Sequence, residues 1–410
     1  MDKLAIHGGE PVRRKPFPSG KKVGFEELRE LMDVIESGNM YRYPGAKVPK
    51  LEEEFARLYG VKHAIASTSG TASIHVAVGM LNPNPGDEII TAPITDLGTV
   101  VPVLYQNAIP IFADVDYETF NMDPTDVERK ITEKTKAIIV VHLFGTGADM
   151  DAILDIARRH KLMVIEDCSQ AHVTEFKGRL LGTIGDIGCF SLQQSKHMTT
   201  GDGGMTITNN DDLAERGKFF QDKGWRRAAW GPRSYIFLAP NYRMNELTAA
   251  VGLAQCRKVK DVVAKRAKLG DLLTSLLKDA PGVHPQKVLP GAKHSYWSYG
   301  MTVDERLGSP DEFAQAVRAE GVSAGAHYIG LPIFLCAEAL SQKKTYGASE
   351  CPFSCPHARP GIEYTPGQCP VCERVLNRMI TTGISEFWSE DDIRDMGKAF
   401  VKVAKALWKA

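Results

Sequence analysis

Residues 189–205, CFSLQQSKHMTTGDGGM, set one lysine, Lys196, between an apolar run and a glycine-rich turn. Its immediate neighbours are Ser, Gln, His and Thr, and the first acid after it is Asp202. A lysine without an acid partner is easier to deprotonate, and a neutral amine can act as a base or a nucleophile. A second candidate follows another apolar run. In VIEDCSQAH, Glu166 and Asp167 emerge directly after strand-like residues, with Ser169, Gln170 and His172 close behind. A carboxylate there needs a cation or several amide donors. A protonated pyridine nitrogen would serve as the cation, and local amides or a helix cap would serve equally. A third group is STSGTAS (67–73), where Ser69, Gly70 and Thr71 precede helix-like residues. Hydroxyls and backbone N–H groups at a helix start make a seat for phosphate, or simply a cap. The segment matches neither the Walker nor the dinucleotide glycine pattern. Ser191, five residues before Lys196, offers one more hydroxyl.

These groups need a scaffold that brings distant turns together. Seven strand-like runs recur: 63–67, 87–93, 109–115, 136–145, 162–169, 187–193 and 203–209. Helical patterns fit between several of them, at 72–81, 124–131 and 149–161. Short apolar strands alternating with helices predict an α/β fold with a mostly parallel sheet covered on both faces. Ligands of such sheets sit at the carboxyl ends of the strands, which is where the candidate residues fall. After residue 245 the pattern changes to a long helix (245–279), a strand (295–303) and helices at 309–321 and 389–409. We expect a large domain over residues 1–250 and a smaller C-terminal α/β domain over 251–410. The latter includes a cysteine-rich excursion at 345–375.

Five segments carry a family likeness: HGGEPVR (7–13), SGTASIHVA (69–77), EDCSQAH (166–172), FSLQQSKHMTTGDGGM (190–205) and NYRMNELTAA (241–250). Together they resemble the DegT/StrS-type sugar and cyclitol aminotransferases, over essentially the whole chain. The lysine segment looks closest to the L-glutamine:scyllo-inosose and 2-deoxy-scyllo-inosose branch. The resemblance implies a fold type I enzyme with a seven-stranded large-domain sheet. It also implies pyridoxal 5′-phosphate (PLP) as cofactor, alternating with its pyridoxamine form (PMP) in ping-pong transfer. Lys196 matches the lysine that binds the cofactor covalently and moves the proton. Asp167 matches the acid on the pyridine nitrogen, and Gln170 the amide near the ring hydroxyl. Ser69, Gly70, Thr71 and Ser191 match the phosphate region. Asn241 matches an asparagine that reaches the phosphate from a neighbouring subunit, implying a homodimer with shared sites. The implied reaction moves an amino group from glutamine or glutamate to a keto-cyclitol or keto-sugar, in amino-sugar or aminoglycoside biosynthesis.

One position departs from the family. In the loop APITDLGTV (92–100), Asp96 stands about where an aromatic ring is usual. Either another residue covers the cofactor ring or Asp96 faces substrate. Further substrate candidates are Gln193, Gln194 and His197 beside the lysine, which could equally just support it, and His327 and Tyr328 in GAHYIGLP. Arg226 and Arg227, in the loop 224–235, could bind a donor carboxylate or make surface or subunit contacts. Rival readings are a PLP- or PMP-dependent sugar dehydratase, in which histidine replaces the lysine, and a non-catalytic binding protein of the same fold. Lys196 argues against the first, although His197 is adjacent.

Lys and Arg total 50, as do Asp and Glu, so no basic field points to nucleic acid or an anionic membrane. No run has the apolar length of a signal core or a membrane span, and a cytoplasmic enzyme is expected. Four of the eight cysteines are clustered: Cys351, Cys355, Cys369 and Cys372. Two close pairs can make a tetrahedral zinc site, whereas the family resemblance accounts for Cys369 and Pro370 with no metal.

Overall fold

The computed structural model describes residues 3–227 and 231–408; the chain ends and 228–230, inside the loop 224–235, lie outside the described residues. The seven strand-like runs become one sheet: β1 (His63–Ser67), β2 (Glu88–Thr91), β3 (Ile109–Phe112), β4 (Thr135–Val141), β5 (Met163–Asp167), β6 (Ile187–Ser191) and β7 (Gly204–Thr208). Their order is β1-β7-β6-β5-β4-β2-β3. Strands β3, β2, β4, β5 and β6 pair in parallel, and β7 runs antiparallel to both its neighbours. The strands are almost wholly buried because helices cover both faces, which is why their sequences read as continuous apolar runs.

Helices α1 (Phe25–Ser37) and α2 (Lys47–Tyr59) precede the sheet, and α3 (Gly70–Leu81) follows β1. Helix α3 is buried from Gly70 almost to its end, apart from a half-buried Thr71, so it can be apolar all round. Helices α4 (Pro124–Lys130), α5 (Met150–His160) and α6 (Asp211–Phe220) complete the layers. Helix α7 (Glu246–Leu277) spans 32 residues and joins two cores. Leu253, Cys256 and Val259 pack with the large sheet, while Leu269, Leu273 and Leu277 pack with the C-terminal core.

That second core surrounds an antiparallel sheet of β8 (Val283–Pro285), β9 (Tyr299–Val303), β10 (Gly325–Ala326) and β11 (Met379–Thr382). It is covered by α8 (Pro310–Ala319) and α10 (Glu390–Leu407), with α9 (Pro370–Arg378) leading into β11. A boundary at 250 does not describe the N-terminal arm. Leu4 is buried in the second core, and Arg13 pairs with Asp392 and Asp395 (2.7 and 3.0 Å). Among the described residues no helix is long and apolar enough to cross a membrane.

Candidate active site

Three strand ends and one helix start converge on a cavity of about 390 Å³ at the carboxyl edge of the sheet. Strand β6 ends at Ser191, and the chain then turns to present Lys196. The turn is closed by Lys196 N donating to Gln193 O (2.9 Å) and Thr200 N to Leu192 O (2.9 Å). Gly201 reverses it at φ +85°, in the left-handed region that favours glycine. The Lys196 amine lies 4.2 Å from the centroid of the Trp297 ring. Burial lowers its pKa, while Asp167 and Asp96 act in the opposite direction. Acids missing from its sequence neighbourhood thus arrive from other strands, and desolvation still outweighs them.

Strand β5 alternates its two acids between opposite surroundings. Glu166 is fully buried: Ile184 N and Gly185 N donate to Oε1 (both 2.7 Å), and His142 Nε2 lies 3.0 Å from Oε2. Ala148 N donates to His142 Nδ1, so Nε2 carries the proton given to Glu166. These bonds satisfy both side chains, although they and Cys168 bring potential metal-ligand atoms within 4.8 Å of one another. Asp167 faces the cavity. Its Oδ2 accepts from Thr99 Oγ1 (2.7 Å) and its Oδ1 from Ser169 N (3.0 Å). Thr99 Oγ1 in turn lies 2.6 Å from Thr95 Oγ1. Buried and held by neutral donors, Asp167 forms no ion pair among the described residues and can receive a cation.

Helix α3 begins against this acid. The Ser69 hydroxyl caps it by accepting from Ala72 N (3.0 Å). A Cβ on Gly70 would fall 2.7 Å from Ser191 Cβ, so only glycine lets the helix start lie on the end of β6. Backbone donors and the Ser191 hydroxyl are thereby brought to one rim of the cavity, an arrangement suited to an anion. On the opposite wall, Gln170 Oε1 accepts from Phe144 N (2.7 Å), and Tyr328 lines the same cavity. Burial pushes Tyr328 up to about 12, and its ring meets Phe144 edge-on at 4.9 Å.

Ser69, Gly70, Thr71, Asp96, Asp167, Gln170, Ser191, Gln193, Lys196 and Tyr328 therefore share one cavity. Six other sequence candidates do not line it. Gln194 is exposed, with its side chain off the lining. His197 points backward to donate from Nε2 to Ser295 O (2.9 Å), and burial holds it well below the usual imidazole range. His327 pairs with Asp311 (2.9 Å) on the far side of its loop. Asn241 is exposed and not part of this chain's cavity. Arg226 and Arg227 do not line it either; Arg227 pairs with Asp222 (2.7 Å) and stacks on Trp225.

Trp297 and Thr99 escaped the sequence reading. Trp297 lies in a segment patterned like a strand, but β9 starts only at Tyr299. Ser295 N and Trp297 N instead donate to Gly145 O and Phe144 O (both 2.9 Å), which draws the segment over the cavity. No local signal marks that path.

The cysteine-rich excursion offers no tetrahedral site. Among the described residues, no three of its four thiols converge with ligand spacing. Cys369 and Cys372 are buried in an apolar cluster around β3 and α9, while Cys351 and Cys355 are partly exposed. Helix α9 directs the second pair inward, into that apolar cluster.

A family model for the DegT/DnrJ/EryC1/StrS aminotransferases matches residues 21–400. The chain is 33% identical to the L-glutamine:2-deoxy-scyllo-inosose aminotransferase of Streptoalloteichus tenebrarius, covering 98% of this chain and 97% of that relative. It is 32% identical to the spore coat polysaccharide biosynthesis protein SpsC of Bacillus subtilis, covering 93% and 95%. Among solved structures, the aminotransferase from Psychrobacter cryohalolentis superposes with a TM-score of 0.81 at 28% identity, covering 96% of this chain and all of that one.

Proposed function

Because the chain belongs to the DegT/DnrJ/EryC1/StrS aminotransferase family, we propose that it moves an amino group from glutamine or glutamate to the ketone of a cyclitol or sugar. It is a PLP-dependent aminotransferase of the fold type I architecture. The finer reading draws on the cyclitol acceptor in one relative's name and on a cavity lined by hydroxyls and acids. One observation carries it: an amine made less basic by burial shares a cavity with a buried carboxylate that has no ion-pair partner among the described residues.

The residues fit the cofactor. The close approach of Gly70 to Ser191 forms an anion-suited rim, Asp167 awaits a cation, and Lys196 stands between them. When bound, PLP supplies an electron-withdrawing ring that accepts the charge left after the donor loses its Cα proton. The start of α3 with Ser191 would hold the phosphate, and Asp167 would keep the ring nitrogen protonated. Thr99 and Ser169 orient that carboxylate without neutralising it. Lys196 would provide the amine that anchors the cofactor. Freed by the donor, it would take the Cα proton and return it one position along, a task that requires its neutral form. Trp297 and Tyr328 wall the cavity and exclude water, and Asp96 at the mouth would accept hydrogen bonds from substrate hydroxyls.

Asn241 and the apolar residues exposed on α1, such as Phe25 and Ile35, support a homodimer in which the second copy completes the site. The backward path of His197 weighs against a dehydratase, which would need a histidine in the lysine's place.

The test is a half-reaction. Enzyme in its PMP form is mixed with keto-inositols and with nucleotide-linked 3-keto and 4-keto sugars, and return of the PLP absorbance is followed. Rapid return with one of these classes is expected. No return with any of them would refute the acceptor assignment while leaving the aminotransferase intact.

A further inference from the structure

Lys22 lies on the arm before α1, 174 residues from the reactive lysine in sequence, yet it touches the same turn. Its ammonium donates to Lys196 O (2.7 Å) and to Gln194 O (3.2 Å). The arm is itself fastened from α7: Gln255 Nε2 donates to Lys22 O (2.8 Å) and to Glu27 Oε1 (2.7 Å), while Gln255 Oε1 accepts from Thr199 N (3.1 Å). The turn 193–199 is thus gripped at three backbone groups by residues from two distant elements. Hydrogen bonds from an ammonium are stronger than those between neutral groups. They also fix carbonyls that the internal bonds of the turn leave free.

The surroundings make a second cation here unusual. Burial lowers the pKa of Lys22, Arg266 on α7 and Lys196 act in the same direction, and Glu386 opposes them. His172 and His197 also face this group, and Lys258 lies at the Lys22 carbonyl while pairing with Glu27. Glu386 is shared with Arg266, which it meets at 2.7 Å. A lysine retained at such a cost in desolvation needs a role that a shorter polar residue could not fill.

We propose that Lys22 is a positioning residue for transamination: it clamps the carbonyls of Gln194 and Lys196 and sets the direction in which the Lys196 amine enters the cavity. The inference rests on Lys196 being the reactive amine. A small error in aim at that atom is costly, since misplacement by about 1 Å can lower a rate roughly a hundred-fold.

The test compares Lys22→Met, which keeps the stem and removes the donors, with Lys22→Arg, which restores donors and charge. Two readouts are taken. In cofactor-free protein, amide exchange over residues 192–200 should accelerate in K22M. In cofactor-loaded enzyme, kcat should fall roughly ten- to a hundred-fold with little change in the donor KM. K22R should recover most of both. If K22M does not accumulate folded, Lys22→Gln takes the same measurements.

Wild-type exchange and kcat in K22M would overturn the proposal, as would a K22R enzyme no better than K22M. Borohydride trapping in the wild type separates this from the underlying reading. An adduct away from Lys196 refutes that reading, while exchange in cofactor-free protein still decides the clamp.

Discussion

The lysine turn, residues 192–204, and the cysteine-rich excursion, 345–375, look alike as sequence. Both are polar, rich in Gly or Pro, and stocked with residues capable of chemistry. The structure puts them to opposite uses. The lysine turn closes the carboxyl end of β6 and aims Lys196 and Ser191 into a cavity. The excursion runs along the outer edge of the sheet and satisfies itself there. Tyr364 donates to Pro110 O (2.7 Å), and Arg359 pairs with the buried Glu88 (2.7 Å). The His357 backbone packs so closely on Gly86 that a Cβ there would come within 2.4 Å. At its end, Asp114 of the large domain caps α9 by accepting from Val371 N and Cys372 N (2.9 and 2.8 Å). Covering β3 protects an edge strand that would otherwise offer free backbone groups. Reactive residue types mark a site only where the fold leaves their groups unsatisfied beside a cavity.

The sharpest way to break this contrast is Lys196→Ala. Turnover should fall by roughly 10³-fold or more, and the visible absorbance of bound cofactor should vanish, while circular dichroism and Tm stay near wild type. Asp167→Asn comes next. The side chain keeps its size and loses its charge, so kcat should drop roughly 10²- to 10³-fold, measured at saturating donor.

Changes where the excursion is anchored to the sheet should register in stability instead. Asp114→Ala strips two helix N–H groups of their acceptor and should cost about 1–3 kcal/mol in denaturant unfolding, with kcat within two-fold. If Asp114→Ala instead lowered kcat as Asp167→Asn does, the two regions would not be functionally distinct.

A smaller effect concerns pH. His172, beneath the lysine turn, donates to Ser191 O (2.9 Å), and burial lowers it to about 4. The unfolded chain, with imidazoles near 6.5, binds more protons between these values. Stability should therefore decline as pH falls from about 6.5 towards 4 and be level above that window. His172→Gln should flatten the decline, read as Tm against pH. Smallest of all, a metal chelator should leave Tm and turnover unchanged. A loss of Tm would reopen the zinc reading of Cys351, Cys355, Cys369 and Cys372.

Much of the scaffold was legible because burial on both faces forces apolar runs. All seven runs became strands of the large sheet, trimmed where the backbone turns. The run 136–145 stops at Val141, since Phe144 and Gly145 take φ of +59° and +110° and bend the chain away. Candidates at strand ends and at the α3 start came together because parallel topology gathers those ends on one edge. Candidates chosen for lying beside the lysine fared worse. Successive residues in a turn point in different directions: Gln193 lines the cavity, while Gln194 and His197 follow the turn away from it. Trp297 was invisible for the opposite reason, being placed by backbone bonds to a loop more than 150 residues earlier.

The chain's own order of residues determined the alternation of strands and helices, the caps, the glycine at the start of α3 and the lysine in its acid-free turn. These depend on local sterics and on the periodicity of burial, which neighbouring residues carry between them. Only the tertiary structure decided which acid faces the lysine, which rings wall the cavity, and that Lys22 supports the turn from behind. Directions of approach between distant segments arise from packing, and no short stretch of sequence contains them.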